Sequence, residues 1–190
     1  MTRTQPAHRR LFVRSGLLVA CLLAAVQLHA AVFSSDAVKA AFLFRFASYV
    51  QWPDDAPATG RFVIGVMDAD TVAEHLERLL PGMNVRGLPA EVRRVTKPAD
   101  LDGVHFLYFG AGYAISTRAL RARAATLPIL MVTDRDDGFA GGGVINFLEA
   151  NRTVRFEVSL VAADRARLSI DSALLAVAAR VERRPQEPKP

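Results

Sequence analysis

Residues 40–53 read AAFLFRFASYVQWP, and this aromatic-rich stretch has the apolar spacing of an amphipathic helix. Ser34 or Ser35 can cap the start of the helix, because a hydroxyl accepts a hydrogen bond from a free N–H group of the first turn. Pro53 disfavours helical geometry at the residue before it, so we expect the helix to end at Trp52 or just before. Its many large apolar side chains require a core, which the rest of the chain must supply.

The expected helix has a polar and an apolar face. Arg45, Ser48 and Gln51 are three residues apart and fall on one polar stripe at about 100° per residue. The opposite, core-facing arc carries Val38, Phe42, Leu43, Phe46, Tyr49 and Val50. Phe44 departs from this pattern because it projects beside the polar stripe, and it lies near Trp52 if the last turn is helical.

Aromatic residues and arginine are the side chains that most often dominate protein interfaces. We therefore hypothesise that this part of the chain binds a partner protein, or a second copy of the chain in a homodimer. The residues of this surface are Phe44, Arg45, Ser48 and Trp52. The alternative is that another element of the domain covers Phe44 and makes it part of the core.

The first thirty residues have the pattern of a cleaved export signal. The positive charges that open it are Arg3, Arg9, Arg10 and Arg14. An apolar run of 11 residues follows at 16–26, shorter than the roughly 20 residues of a membrane-spanning helix. Because Leu28-His29-Ala30 supplies a cleavage site, we expect the mature chain to begin after Ala30 and to be exported.

Two other export patterns overlap this segment. Arg9-Arg10 followed by Leu11 is close to a twin-arginine signal, which is an alternative to the general secretory route. Leu18-Val19-Ala20-Cys21 is similar to a lipoprotein cleavage box, but a lipid on Cys21 would leave an untypical, apolar mature N-terminus. We therefore favour plain cleavage and place no lipid anchor at Cys21.

Size and charge indicate one exported domain. Removal of residues 1–30 leaves 160 of the 190 residues, a length typical of a single domain. The formal net charge falls from +5 to about +1, because four arginines leave and no acidic residue does, so nothing suggests nucleic acid binding. Cys21 is the only cysteine, which excludes disulfides, thiol nucleophiles and cysteine metal ligands from the mature chain.

Alternating apolar runs and turn signals predict a single α/β domain over residues 31–182, with a mixed sheet, flanking helices and a C-terminal antiparallel hairpin. Strands are expected at 62–67, 90–95, 105–109, 129–133, 143–148 and 153–160, and helices at 70–80 and 116–126. Residues 84–89 are expected to form a turn-rich link.

The C-terminal part of the domain has its own pattern. Asn151 can supply the positive φ of the hairpin turn, and Glu157 and Ser159 alternate onto the expected solvent face of the second strand. A last helix is expected at 172–182. Residues 183–190 contain three prolines and are expected to be a disordered tail.

The sequence lacks a recognisable catalytic or cofactor motif, so we expect a protein that is not an enzyme and binds neither cofactor nor metal. Gly110-Ala111-Gly112 follows a strand, but Ile115 stands where a dinucleotide loop needs its third glycine. The acidic run 134–138 lacks the spacing and the closing glutamate of a calcium loop, so we favour a solvated turn, with a weak divalent-ion site at this strand end as the alternative. Neither His75 nor His105 has an acid or a second histidine at metal-ligand spacing. The alternative of a hydrolase with an unrecognised site has no paired nucleophile and base to support it.

Gly141-Gly142-Gly143 lies before an apolar strand, and three glycines imply close backbone approach, unusual φ angles or mobility. With Phe139 nearby, this segment is either a movable flap over a ligand pocket or a loose loop that enters a strand. A pocket is expected at the ends of the central strands, lined by Gly110, Asp134, Phe139 and Gly142. This pocket favours a second function, that of a periplasmic small-molecule sensor or carrier.

Four blocks of the chain carry a resemblance to a known family. They are KAAFLFRF (39–46) through Trp52-Pro53; residues 62–66 with Arg86-Gly87-Leu88-Pro89; Gly143-Val144-Ile145-Asn146-Phe147; and NRTVRFEV (151–158) leading to Leu174-Leu175. Together they span about residues 36–178, and the chain resembles the YfiR family of exported bacterial regulators.

The resemblance implies a periplasmic, non-enzymatic protein. The best-understood members of the family bind the periplasmic sensor portion of an inner-membrane diguanylate cyclase and hold it inactive, and release raises cyclic di-GMP and favours biofilm formation. The partner of this chain is therefore expected to be such a cyclase or the periplasmic domain of a sensor kinase. Some relatives have cysteine pairs that act as a redox or stability control, which this mature chain lacks.

Overall fold

The structure is built around an eight-stranded mixed sheet. It is a computed structural model that describes residues 34–57, 59–110, 117–151 and 153–184. The strands are β1 Val50–Gln51, β2 Phe62–Met67, β3 Asn84–Val85, β4 Leu88–Arg94, β5 Phe106–Phe109, β6 Leu130–Thr133, β7 Ile145–Ala150, β8 Thr153–Ser159, β9 Ser169–Ile170 and β10 Arg180–Glu182. The helices are α1 Ser35–Phe46, α2 Asp70–Leu79, α3 Thr117–Ala124, α4 Leu160–Arg165 and α5 Ser172–Val177, with a 3₁₀ turn at Pro98–Leu101. The expected export segment with Cys21, the loop residues 111–116 and the tail beyond residue 184 lie outside the described residues.

The strand order is β10-β8-β7-β6-β5-β2-β4-β3, and β1 and β9 pair separately as a short antiparallel ribbon. The five strands β7, β6, β5, β2 and β4 are parallel to one another. β8 is antiparallel to β7, and β3 is antiparallel to β4. The predicted mixed sheet with flanking helices and a C-terminal antiparallel hairpin is therefore confirmed. Asn151 has the positive φ of 51° expected at the hairpin turn.

Alternate residues of the central strands supply two cores, one on each face of the sheet. Every residue of β2, β5 and β6 is buried, as in a parallel sheet that helices cover on both faces. On the first face, Ile64 of β2 packs with α1 and α2. On the second, Val63 packs with Leu101 of the 3₁₀ turn and Leu120 of α3.

Helix α1 begins as predicted but ends earlier than predicted. The Ser34 hydroxyl accepts a hydrogen bond from the Ala37 N–H at 3.2 Å. The helix then ends at Phe46, because Val50 and Gln51 leave it to pair with β9, and the chain reaches Trp52 in an extended conformation.

Trp52 therefore belongs to the core rather than to the surface, with only 7% of the residue exposed. Its indole N–H donates to the His105 carbonyl at 3.0 Å, and its ring meets that of Phe62 edge-on with centroids 5.2 Å apart. This buried position is favourable because the ring leaves water and its one polar group, the indole N–H, keeps a hydrogen-bond partner.

Two further segments differ from the sequence prediction because short strands are added at the edges of the sheet. The expected link 84–89 is a tight hairpin between β3 and β4, with positive φ at Arg86 and Gly87. At the other edge, the expected helix 172–182 ends at Val177, and β10 pairs in parallel with β8. Glu157 and Ser159 are consequently buried instead of solvated, and the Arg180 guanidinium lies 2.6 Å from the Glu157 carboxylate.

Trp52→Ala is expected to lower the free energy of unfolding by about 3–5 kcal/mol, because it removes a buried ring and leaves a cavity. Trp52→Phe, which keeps most of the apolar area and loses only the indole N–H bond, should cost clearly less. Urea unfolding of the purified protein, followed by circular dichroism, measures both. Stability of Trp52→Ala close to that of the wild type would show that the ring does not support the core.

Stability is also expected to depend on the protonation of His105. Its Nδ1 lies 3.3 Å from the Val63 N–H, which can only donate, so the proton is on Nε2, which donates to the Pro57 carbonyl at 2.7 Å. Burial lowers the pKa of His105 below its ordinary value of 6.5; the Pro57 carbonyl opposes this shift, and nearby arginine charges add to it. As the pH falls below 6.5, His105 binds a proton in the unfolded chain but not in the folded protein, so the free energy of unfolding falls.

We therefore expect the free energy of unfolding to fall between about pH 7.5 and pH 5, and to fall less in His105→Gln. Urea titrations at several pH values test this. His75→Gln is the matched control, because it makes the same substitution at the other histidine of the described residues, which lines a surface groove and not the core. Equal pH dependence in His105→Gln and the wild type would contradict the assignment.

Candidate functional site

An apolar groove of about 660 Å³ runs between α1 and α2. Its lining residues are Ala37, Val38, Ala40, Ala41, Phe42, Arg45, His75, Arg78 and Leu79. The α1 stripe from Val38 to Arg45 has the spacing of one helical face, and the α2 residues from His75 to Leu79 lie one turn apart. Two neighbouring helices therefore supply one wall each.

Small side chains keep this groove open. Ala41 is exposed, and Ala40 below it is buried against the core. Val38 and Phe42 are half-buried, so their apolar surface is only partly covered by the domain itself. An apolar channel of this kind is suited to receive apolar side chains of another molecule.

The rim of the groove is positively charged. The Arg78 guanidinium lies 3.0 Å from Nδ1 of His75, and that of Arg45 lies 3.5 Å from the Tyr49 hydroxyl. Within the described part of the chain, no carboxylate lies at ion-pair distance from either arginine. Both cations are therefore available to acidic groups of a bound molecule.

The structure brings together only some of the residues predicted to form a partner surface. Arg45 and Ser48 are exposed, Phe44 is half-buried and packs against the core, and Trp52 is buried. The early end of α1 turns the chain inward and separates Trp52 from the others. The second wall was missed, because nothing in the spacing of α2 alone shows that it lies beside α1.

A second cavity, of about 350 Å³, lies where β2, β5 and β6 end. Lys39 reaches it from α1, and its Nζ lies 3.0 Å from Asp134 Oδ2 and 3.3 Å from Glu149. The Tyr108 hydroxyl donates to the same Asp134 oxygen at 2.8 Å. The Lys39 and Asp134 side chains are 9% and 10% exposed, so this ion pair is almost fully buried.

The protonation of this cluster follows from its surroundings. Burial alone would lower the pKa of Lys39, but the hydrogen-bonded carboxylates of Asp134 and Glu149 hold it above its ordinary value. Burial raises the pKa of Tyr108 far above its ordinary value, and Asp134 raises it further. Lys39 therefore stays charged and Tyr108 stays a hydrogen-bond donor at any physiological pH.

The predicted ligand pocket is divided between separate places. Gly110 and Asp134 line the cavity at the strand ends, as does Tyr108. Gly142 instead lines a smaller cavity of about 120 Å³ beside α4. Phe139 lies under the Arg180 guanidinium, 5.4 Å from the ring centroid. The glycine segment is a series of hydrogen-bonded turns in which the Gly142 N–H donates to the Phe139 carbonyl at 2.9 Å.

Across 34–57, 59–110, 117–151 and 153–184, no three His, Cys, Asp or Glu side chains are grouped so that they could hold a metal ion. Among the helices of these ranges, none combines the length and hydrophobicity that crossing a bilayer requires.

Comparison with known proteins gives a family and a fold. A family model described as YfiR/HmsC-like matches residues 36–179. A crystal structure of a conserved domain protein from Vibrio cholerae O1 biovar El Tor str. N16961 is similar at 12% identity, with a TM-score of 0.51 over 79% of this chain. The chain spans 61% of that protein's length, and the likeness concerns the fold alone. An ABC domain from Streptococcus pneumonia in complex with L-Trp is similar at 11% identity, with a TM-score of 0.48, over 66% of this chain and 57% of that one. No curated protein matches the chain.

The buried ion pair gives a testable prediction about stability. Lys39→Met removes the ammonium group and keeps the aliphatic length, and we expect it to lower the free energy of unfolding by about 3–5 kcal/mol, because Asp134 is left charged without its cation. In Lys39→Met/Asp134→Asn the combined loss should be smaller than the sum of the single losses, since the second change removes the stranded charge. Urea unfolding of the three variants measures this coupling. Additivity to within about 0.5 kcal/mol would show that the two groups do not support each other.

Proposed function

Because the chain belongs to the YfiR/HmsC-like family of periplasmic, non-catalytic regulators, we propose that it represses an inner-membrane signalling enzyme. It binds the periplasmic sensor part of that enzyme, a diguanylate cyclase, and holds the enzyme inactive. Loss of binding raises cyclic di-GMP and favours biofilm formation. An N-terminal signal peptide delivers the protein to the periplasm.

The observation that carries this proposal is the groove between α1 and α2. A domain that acts by binding needs a surface whose apolar area is not consumed by its own core, and the groove offers one. Arg45 and Arg78 add a charged rim that has no carboxylate partner among the described residues, and arginine is enriched at interface hot spots. Of the predicted surface, Arg45 lines the groove and Ser48, just after the end of α1, is exposed, whereas Trp52 is buried.

A groove of this shape also suits a helix of the partner. An amphipathic helix can lay its apolar face between α1 and α2 while acidic residues at its borders meet the two arginines. A second copy of this chain is a less complementary occupant, since like guanidinium groups would face each other across a symmetric contact.

A second candidate function, a periplasmic small-molecule sensor, is favoured by the cavity at the ends of β2, β5 and β6. The position matches the place where open α/β sheets bind ligands. The two functions are compatible, because Lys39 in the cavity and Ala41 in the groove lie on different faces of α1.

The groove is tested by one matched pair of substitutions in the parent bacterium. Deletion of the gene should raise cyclic di-GMP, and the wild-type chain should restore the low level. Ala41→Arg places a bulky cation in the groove and should weaken partner binding by roughly thirtyfold or more, the effect of losing an interface hot spot, so that repression fails. Ala119→Arg makes the same change on exposed α3, across the sheet, and should restore repression fully.

Both variants must have wild-type melting temperatures and periplasmic levels for the comparison to hold. Unchanged cyclic di-GMP in the deletion strain would exclude the proposed target. Full repression by Ala41→Arg would exclude the groove as the binding surface and leave the target standing.

A further inference from the structure

We propose that the groove between α1 and α2 also binds a fatty acid, with the hydrocarbon tail along the groove and the carboxylate at Arg78. The groove volume of about 660 Å³ lies within the range of small-molecule sites. A fatty acid in the groove would exclude a partner helix, so the two are alternative occupants of one surface. Binding of the acid is a property of the domain by itself and does not rest on the proposed function.

The walls of the groove favour a ligand that is apolar along its length. Helix α1 lines it with small or apolar side chains before Arg45, and α2 adds Leu79. These residues of α1 lie inside the helix, so their backbone groups are already hydrogen-bonded within it or, at Ala37, to the Ser34 cap. A ligand with polar groups along its length would find no hydrogen-bond partner on this wall, and a buried polar group without a partner is unfavourable.

The polar side chains of the lining stand towards the ends of the α1 stripe. His75 lies beside the start of α1, because its Nε2 atom is 3.4 Å from the Ser34 hydroxyl, and Arg78 is bonded to the same ring. Arg45 belongs to the last turn of α1, about 16 Å further along the helix axis at 1.5 Å per residue. An amphiphile with one polar head and one apolar tail matches this distribution of polar and apolar groups.

The charge of the rim selects an anionic head group. A guanidinium only donates, so the 3.0 Å contact of Arg78 with His75 Nδ1 uses one of its five N–H groups and orients the rest. No carboxylate of the described residues lies at ion-pair distance from this guanidinium. A ligand carboxylate can accept two parallel N–H bonds from it, which is the geometry that arginine favours.

Arg78 is a better head-group residue than Arg45. The only hydrogen bond of Arg45 among the described residues is to the Tyr49 hydroxyl at 3.5 Å, the long limit of such a bond, so its guanidinium is held less firmly. With the carboxylate at Arg78, the tail runs along the alanine stripe of α1 towards Phe42. The aliphatic stem of Arg45 can then cover the far end of the tail while its charge stays in water.

Octanoate, decanoate and dodecanoate are the probes, and isothermal titration of the purified protein at neutral pH, below micelle-forming concentrations, is the measurement. We expect saturable binding that tightens about fourfold for each added methylene group, because each one removes further apolar surface from water. Decanol has the same tail length without the charge, and it should bind on the order of tenfold more weakly than decanoate.

Arg78→Gln should weaken decanoate binding on the order of tenfold and leave decanol binding unchanged, because only the acid uses the guanidinium. Arg118→Gln is the matched control: it makes the same change at an exposed arginine of α3, on the other face of the sheet, and should alter neither affinity.

The proposal is overturned if none of the three acids binds saturably, or if their affinities do not rise with chain length. It is equally overturned if Arg118→Gln weakens decanoate binding as much as Arg78→Gln, because binding would then be a general attraction to positive charge. A loss of decanol binding in Arg78→Gln as large as that of decanoate would overturn the assignment of the carboxylate to Arg78.

Discussion

The structure depends on the docking of α1 onto the first face of the sheet. The Phe46 ring lies 4.9 Å from that of Phe156 and 5.7 Å from that of Phe147, so the helix is fixed against the β7–β8 hairpin by aromatic contacts. On an adjacent face of the same helix, the Lys39 ammonium ties it to the end of β6. Two sides of α1 are therefore held by these contacts. The remaining alanine-rich stripe lies beside α2 and forms one wall of the groove.

Much of the fold could be predicted because the signals are local. The continuous apolar runs of β2, β5 and β6 read directly as buried strands, and Ser34 and Asn151 marked a helix start and a hairpin turn. The edge strands could not be predicted, because two or three residues carry no periodicity and pair only once the sheet exists. The ends of α1 and α5 were misplaced for the same reason: residues that suit a helix were taken by β1 and β10.

The two candidate sites illustrate the same limit. Gly110 and Asp134 were recognised as strand-end residues, and both line one cavity. Lys39, the ion-pair partner of Asp134, is 95 residues away in the sequence. The pattern of α1 assigned Lys39 to neither site, so the pair is visible only in the folded chain. Of the residues at the rim of the groove, Arg45 was predicted to bind a partner. Arg78 was not, because its position beside Arg45 depends on the packing of α2 against α1. Both sites share α1, and a regulator that senses as well as binds would need such a shared element.

The edges of the sheet carry a consequence for how the protein recognises others. At one edge β3 has two residues, and at the other β10 has three, with Arg180 and Glu182 exposed. β3 pairs only with Leu88 and Pro89, so residues 91–94 of β4 have no described strand on that side. Glu91, Arg93 and Arg94 stand along this open edge, and charged side chains of this kind protect natural sheets from edge-to-edge association. The open part of this edge is therefore protected by the charge of its own side chains and not by a covering strand.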